Sequence, residues 1–246
     1  MRIATPEVQN MIISHSYRYL FLKSVKTAGT SIEAALSQSC SGSDVVTPLG
    51  NYAHNRDETG GMVHRAMNAE TLPWWDRETI GQHVDAETMR RHLPPEMWRS
   101  YCKFSIARNP WDRVVSLFAW KTRNDPSMKP QRKLIHKLGV PFDELAELRR
   151  NFSVFVQRGF ETNDRFYILD GEACTDFMIR YEHMNDDLAA LAGKLGLPPL
   201  NVPRLKTGIR PGQYHYSQYY DEATKALVGD RHAQDIRLFG YRFETA

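Results

Sequence analysis

The sequence predicts an α/β fold in which a central, mostly parallel sheet is flanked by helices, and three observations carry that prediction. Twice the chain passes from a short strand-like run, the first of them wholly apolar, through a tight connection into a helix-forming segment, first from Tyr19 to Leu36 and again from Lys103 to Phe118. Short runs without polar alternation suit strands buried on both faces, as in parallel sheets. The composition supplies a core, since 41% of the 246 residues are hydrophobic and 11% aromatic. That length fits a single α/β domain, residues 1–246, with an irregular insertion near residues 40–80.

The first strand, Tyr19 to Leu22, leads into Ser24 to Ser31, which is small and hydroxylated apart from Val25 and Lys26. Ile32 to Leu36 then favours helix. A strand, a small-residue loop and a helix start together aim backbone N–H groups and a helix dipole at an anion. Lys26 adds a full positive charge, and Thr27, Thr30 and Ser31 add hydroxyls. Ala28 and Gly29 complete the loop whose backbone would do the binding. The pattern departs from the Walker loop, because Lys26 precedes Gly29 and no Gly-Lys-Ser/Thr ending follows. An ordinary strand-to-helix turn with an N-cap threonine is the structural alternative.

The second strand, Lys103 to Ala107, runs directly into Arg108, Asn109, Pro110, Trp111 and Asp112. Proline is tolerated in the first helical turn, and Asp112 favours the positive end of the dipole. Arg108 therefore precedes a helix N-terminus, and Ser116 lies about a turn and a half inside it. An arginine fork with a hydroxyl at a helix start makes a second anion site. Pairing of Arg108 with a carboxylate, and Ser116 as a plain helix residue, are the structural alternatives.

Lys26 to Ser31 (Lys-Thr-Ala-Gly-Thr-Ser) resembles the 5′-phosphosulfate loop of the sulfotransferases, and Phe104 to Ser116 resembles their 3′-phosphate motif. The similarity is to the carbohydrate-type branch that includes heparan 2-O-sulfotransferases and bacterial relatives, and in weaker form it extends from Tyr17 to Phe243. It implies a P-loop-type three-layer fold and the donor 3′-phosphoadenosine 5′-phosphosulfate, with adenosine 3′,5′-bisphosphate as product. It also implies an acceptor hydroxyl on a carbohydrate, a glycan or glycolipid precursor. Thr27 to Ser31 would hold the 5′-phosphate, Lys26 would sit near the bridging oxygen, and Arg108 and Ser116 would hold the 3′-phosphate. Sulfate carries less charge than a terminal phosphate, so no metal is expected.

Alcohol sulfation requires loss of a proton, for which histidine is suited near neutrality. Asp85 is a good N-cap for a helix containing Met89 and Leu93, which leaves His83 in the loop just ahead. Gly81 to Val84 resembles a Gly-His-Val segment that supplies the base in heparan 2-O-type relatives, with Gln82 inserted. His83 is accordingly the expected base. His64 is the reserve, and Glu33 or Asp85 would serve if the base is a carboxylate.

The remaining stretches mark structure more than chemistry. Residues 40–80 are broken by glycine and proline, and Tyr52, His54, Arg56, His64, Arg65, Trp74 and Trp75 are candidates to line an acceptor cleft or to hold a surface excursion together. Gln131 to Leu138 reads as an exposed basic helix, and Pro141-Phe142-Asp143 starts another whose apolar positions Phe142, Leu145, Ala146 and Leu148 suit a packed face. Phe166 to Leu169, the Asp170–Gly171 turn and Phe177 to Tyr181 read as strand, turn and strand. Met184 to Leu195 is an amphipathic helix ended by Gly196 and Pro198. Lys206 and Arg210 lie in a basic loop that would act as a lid or stay solvated. Asp221 caps a further helix, and Leu238, Phe239, Tyr241 and Phe243 are expected to pack back on the domain.

A net charge of +3 gives no case for nucleic acid as partner. Cys40, Cys102 and Cys174 lack metal or disulfide spacing and read as free thiols in a reducing compartment. The apolar stretch from Met11 is soon interrupted by Ser14, His15, Ser16 and Arg18, so a signal segment and a transmembrane segment are not expected and a cytoplasmic location is. Oligomeric state leaves no mark in the sequence. Two other classes fit parts of the pattern: a P-loop-type ATP-dependent kinase, and a non-catalytic nucleotide- or glycan-binding module.

Overall fold

The computed structural model describes residues 11–48, 64–72, 83–125, 143–205 and 214–246. Its strands are β1 (Ile12–Ser14), β2 (Tyr19–Phe21), β3 (Val45–Val46), β4 (Cys102–Ala107), β5 (Ile168–Leu169), β6 (Glu172–Ala173) and β7 (Phe177–Arg180). The α-helices are α1 (Gly29–Ser37), α2 (Ala86–His92), α3 (Pro95–Ser100), α4 (Pro110–Thr122), α5 (Glu144–Arg158), α6 (Met184–Leu195), α7 (Glu222–Arg231) and α8 (Ala233–Phe239). Two compact units result, Met1–Ala107 with Asn163–Lys206 and Arg108–Thr162 with Thr207–Ala246.

The first unit is built on a sheet of order β3-β1-β2-β4-β7. β2 pairs parallel with β4, and β4 parallel with β7. β1 runs antiparallel to both β2 and β3, so the other four strands share one direction. Successive side chains on β2 alternate between faces. Tyr19 and Phe21 point to a layer with Phe104, Ile32 and Leu36 of α1, and Leu188 and Leu191 of α6. Leu20 and Leu22 point the other way, to Ile13, Val84, Ala86 and Met89. Helices thus cover both faces, which is why Tyr19 to Leu22 reads as an unbroken apolar run.

Two features of this unit differ from the sequence reading. Ile12–Ser14 is a buried antiparallel strand, held to β2 by a turn whose N–H groups at His15 and Ser16 donate to the Asp44 carboxylate at 2.6 and 2.8 Å. The hairpin around Asp170 and Gly171 closes on Glu172–Ala173, while Phe177–Arg180 leaves it to join the main sheet beside β4. Both turn residues have positive φ, 53° and 83°, the conformation an Asp-Gly hairpin favours. The helix boundaries follow the capping logic. Asp85 accepts from the Thr88 N–H at 2.7 Å, and Gly196 ends α6 in the left-handed region.

The second unit has its own core. Trp111, Val114, Val115 and Phe118 of α4 pack with Phe152 and Val156 of α5, Val228 of α7 and the buried tyrosines Tyr216, Tyr219 and Tyr220. Asp143 and Asp221 cap α5 and α7 by accepting from Ala146 and Thr224 N–H groups at 3.0 and 2.7 Å. Phe243 does return to the core, edge-on to Trp111, Tyr216 and Tyr220. Leu238 does not. It is 40% exposed, because the helix turn that directs Ile236 inward directs Leu238 to solvent. Among the described residues no helix is long and apolar enough to cross a membrane.

Candidate functional site

The loop between β2 and α1 has an unusual backbone. Lys26 and Ala28 both adopt left-handed conformations, at φ 64° and 62°, whereas Thr27 between them does not. Non-glycine residues enter this region rarely, at a cost of about 1–2 kcal/mol each. Alternation of φ sign turns successive N–H groups to one side and forms an anion-binding concavity. Ala28 is also the N-cap of α1 and offers no side chain to the first-turn N–H groups. Backbone donors and the positive end of the helix dipole therefore meet at the N-terminus of α1, three residues after Lys26.

Several side chains hold that backbone in place. Ser24 donates to the Ile106 carbonyl at 2.5 Å, and the Thr27 hydroxyl lies 2.8 Å from Ser24 Oγ and 3.2 Å from its carbonyl. Thr27 is fully buried, so its hydroxyl braces the loop from within. Ser31 is also buried, and its Oγ accepts from the Leu205 N–H at 3.2 Å. Asn163 grips Val25 from both sides, its Oδ1 accepting from the Val25 N–H at 3.1 Å and its Nδ2 donating to the Val25 carbonyl at 2.9 Å. Nothing local in the sequence marks Asn163, which is 138 residues from its partner.

Beneath the loop lies an ion pair that sequence reasoning also missed. Lys23 Nζ and Glu33 Oε2 are 2.5 Å apart, with side chains 2% and 0% exposed. Burial lowers the Lys23 pKa and the nearby carboxylate opposes that shift. Gly29 sits directly on this lysine: a Cβ there would lie 2.8 Å from Lys23 Cγ and 3.2 Å from Cε. Glu33, a reserve base in the sequence reading, is committed here to Lys23. Asp85, the other carboxylate candidate, is engaged as the N-cap of α2.

His83 is half-buried, and its Nδ1 lies 2.9 Å from the Lys23 carbonyl. A carbonyl can only accept, so Nδ1 carries a proton, and whenever the ring is neutral its lone pair lies on Nε2. The ring also leans on Phe166, with centroids 5.8 Å apart. His64 is 2% exposed, and neither ring nitrogen has a hydrogen-bond partner among the described residues. Burial, reinforced by the charge of Lys23, lowers its pKa to about 4, so it is neutral at physiological pH.

In the second unit Arg108 precedes α4, with Asn109 as its N-cap accepting from the Trp111 N–H at 3.1 Å. Arg108 donates from Nε to Asp112 Oδ2 at 2.7 Å, and a second guanidinium nitrogen lies 2.6 Å from the same oxygen. Asp112 and Ser116 are four residues apart and share a helix face, so Arg108, Asp112 and Ser116 form one surface. Deeper in the unit, buried Arg113 donates to the Glu161 carbonyl at 2.6 Å and approaches His232 Nε2 at 3.3 Å, while His232 Nδ1 lies 2.8 Å from Asp235. This chain fastens α4 to α8 and is architectural.

Tyr52, His54, Arg56, Trp74, Trp75, Gly81, Gln82, Gln131 to Leu138, Lys206 and Arg210 lie outside the described residues. Cys40, Cys102 and Cys174 are free thiols, all with pKa values raised chiefly by burial, Cys40 and Cys174 to about 11. They are poor nucleophiles.

Comparison with known proteins supplies the family. No solved structure matches the chain. An uncharacterized protein from Archaeoglobus fulgidus is 25% identical over 129 residues, which is 50% of this chain and 92% of the relative. A family model described as the sulfotransferase family matches residues 9–242 and spans both the β2–α1 loop and the start of α4, so the chain belongs to the sulfotransferase family.

Proposed function

We propose that this protein is an O-sulfotransferase that uses 3′-phosphoadenosine 5′-phosphosulfate and sulfates a carbohydrate hydroxyl, on a P-loop-type architecture. The observation that carries the reading is the loop Lys26 to Gly29, with alternating φ sign, an uncapped helix N-terminus and a lysine at its mouth. Those features suit the phosphosulfate end of such a donor, which presents adjacent anionic oxygens. The donor supplies an electrophilic sulfur attached to a phosphate leaving group.

Thr27 to Ser31 would bind the 5′-phosphate, chiefly through backbone N–H groups. Lys26 would neutralise charge developing on the departing phosphate oxygen. His83 would take the acceptor's proton on Nε2 as the oxygen closes on sulfur and the sulfur–phosphate oxygen bond breaks. Arg108 and Ser116 would bind the 3′-phosphate and so distinguish this donor from ATP. Positioning and electrostatics would supply most of the rate, as in phosphoryl transfer. The carbohydrate acceptor rests on the resemblance of the chain's motifs to the carbohydrate-type branch.

The test is transfer of radiolabelled sulfate from the donor to a panel of glycans and glycolipids. Label should appear in a glycan, and Lys26→Ala should lower turnover by about 100-fold or more, the scale of losing one transition-state donor. Turnover at the wild-type rate in Lys26→Ala would refute the assigned roles.

A further inference from the structure

Lys23 has no part in the transfer just described, yet the structure surrounds it with parts that do. It leaves the end of β2, where the adjacent Leu22 N–H donates to the Phe104 carbonyl at 2.9 Å. Its carbonyl meets His83 Nδ1 at 2.9 Å. Its side chain turns under the loop, close enough to Gly29 that no Cβ fits between them. The ammonium ends on Glu33 in the first turns of α1. One residue therefore touches the proposed base, the floor of the anion loop and the helix whose N-terminus completes it.

A buried pair of this kind is a poor source of stability, because both charges lose their hydration and apolar substitutes of similar size often do as well. Its distinct effect is geometric. A short, charge-assisted contact between fully buried groups holds the lysine stem in one path, and that path sets how far Gly29 can sink. The same residue's main chain decides which nitrogen of His83 is protonated. A carbonyl displaced from Nδ1 would no longer favour the tautomer that keeps Nε2 as proton acceptor.

We infer that Lys23 is a positioning residue for sulfuryl transfer, its Glu33-paired side chain fixing the loop at Gly29 and its carbonyl holding His83 as the Nδ1–H tautomer. This rests on the reading of the loop as the donor cradle and of His83 as the base. Lys23 acts through both and touches neither reactant. His64, buried and neutral within the field of the Lys23 ammonium, adds no competing charge to the pair.

The test is long-range proton–nitrogen NMR of the histidine rings, with calorimetric titration of adenosine 3′,5′-bisphosphate, on wild type and the double variant Lys23→Met with Glu33→Met. The double variant avoids the lone buried charge that a single substitution would leave. Wild-type His83 should be in the Nδ1–H form. In the folded double variant the Nδ1–H to Nε2–H ratio should fall by up to about tenfold, the equivalent of one hydrogen bond, and bisphosphate affinity should drop several-fold. A folded double variant with unchanged tautomer and affinity would overturn the inference. So would a wild-type His83 in the Nε2–H form, a result that needs no variant. If wild type binds no bisphosphate, the donor reading fails on its own, and the ligand-free tautomer comparison still judges Lys23.

Discussion

Replacing Gly29 with alanine is the sharpest probe of how the loop is built. Gly29 does not have a positive φ, so its backbone conformation is open to alanine and any cost must come from space. The new Cβ would stand 2.8 Å from Lys23 Cγ, against the roughly 3.5–4.0 Å at which carbon atoms pack comfortably. Lys23 cannot swing aside at low cost, because its ammonium is fixed on Glu33 with both side chains buried. The Ser24 carbonyl, 3.4 Å from the same point, limits movement on the other side. Overpacking of this kind costs about 1–3 kcal/mol. For a chain of this size that is a fall of roughly 2–12 °C in Tm, at about 2–4 °C per kcal/mol. Thermal unfolding of Gly29→Ala should show that loss, together with weaker binding of adenosine 3′,5′-bisphosphate. An unchanged Tm and unchanged affinity would mean that Lys23 yields freely and that the loop is not rigidly floored.

Other perturbations separate the remaining features. Ala28→Gly should stabilise the protein by up to about 1 kcal/mol in denaturant titration, since glycine enters the left-handed region without the Cβ penalty and is the better N-cap; lower stability would contradict that balance. Arg108→Ala should reduce bisphosphate affinity by about 10- to 100-fold, the worth of a charged hydrogen bond, and leave AMP affinity nearly unchanged; equal losses for both ligands would argue for general disruption. His64 predicts a pH effect of defined sign. Its folded pKa is near 4 while the unfolded value is about 6.5, so the unfolded state takes up the proton first and stability is lost as pH falls through that interval. Between about pH 7 and about pH 4.5 the stability of His64→Leu relative to wild type should therefore rise by about 2–3 kcal/mol; a pH-independent difference between the two would show that His64 is not buried neutral.

The parts of the fold legible in the sequence were those fixed by local chemistry. Both strand–loop–helix junctions, the caps at Asp85 and Asp221 and the stop at Gly196 follow from residues within a few positions of each other. β1 was missed because Ile12 and Ile13 followed by Ser14 to Ser16 leave no period to read, and only pairing with β2 and β3 makes Ile12–Ser14 a strand. Phe177–Arg180 is legible as a strand, but its partner is not, because parallel pairing joins it to β4, a strand some seventy positions earlier. The supports of the anion loop were invisible for the same reason. Lys23 and Glu33 look like ordinary flanking charges until the turn into α1 brings them together inside the protein, and the Asn163 clamp on Val25 depends on tertiary folding alone. Leu238 shows the converse limit, an apolar residue in a family-like ending that the helix turns outward.

The measurement that bears most directly on the proposed donor is calorimetric titration of the wild-type protein with adenosine 3′,5′-bisphosphate, beside AMP and ATP with magnesium. Selective binding of the bisphosphate, with AMP much weaker and magnesium-ATP weakest, is the predicted result. Equal or tighter binding of magnesium-ATP would contradict the account and turn the loop at Lys26 into the site of a different phosphate chemistry.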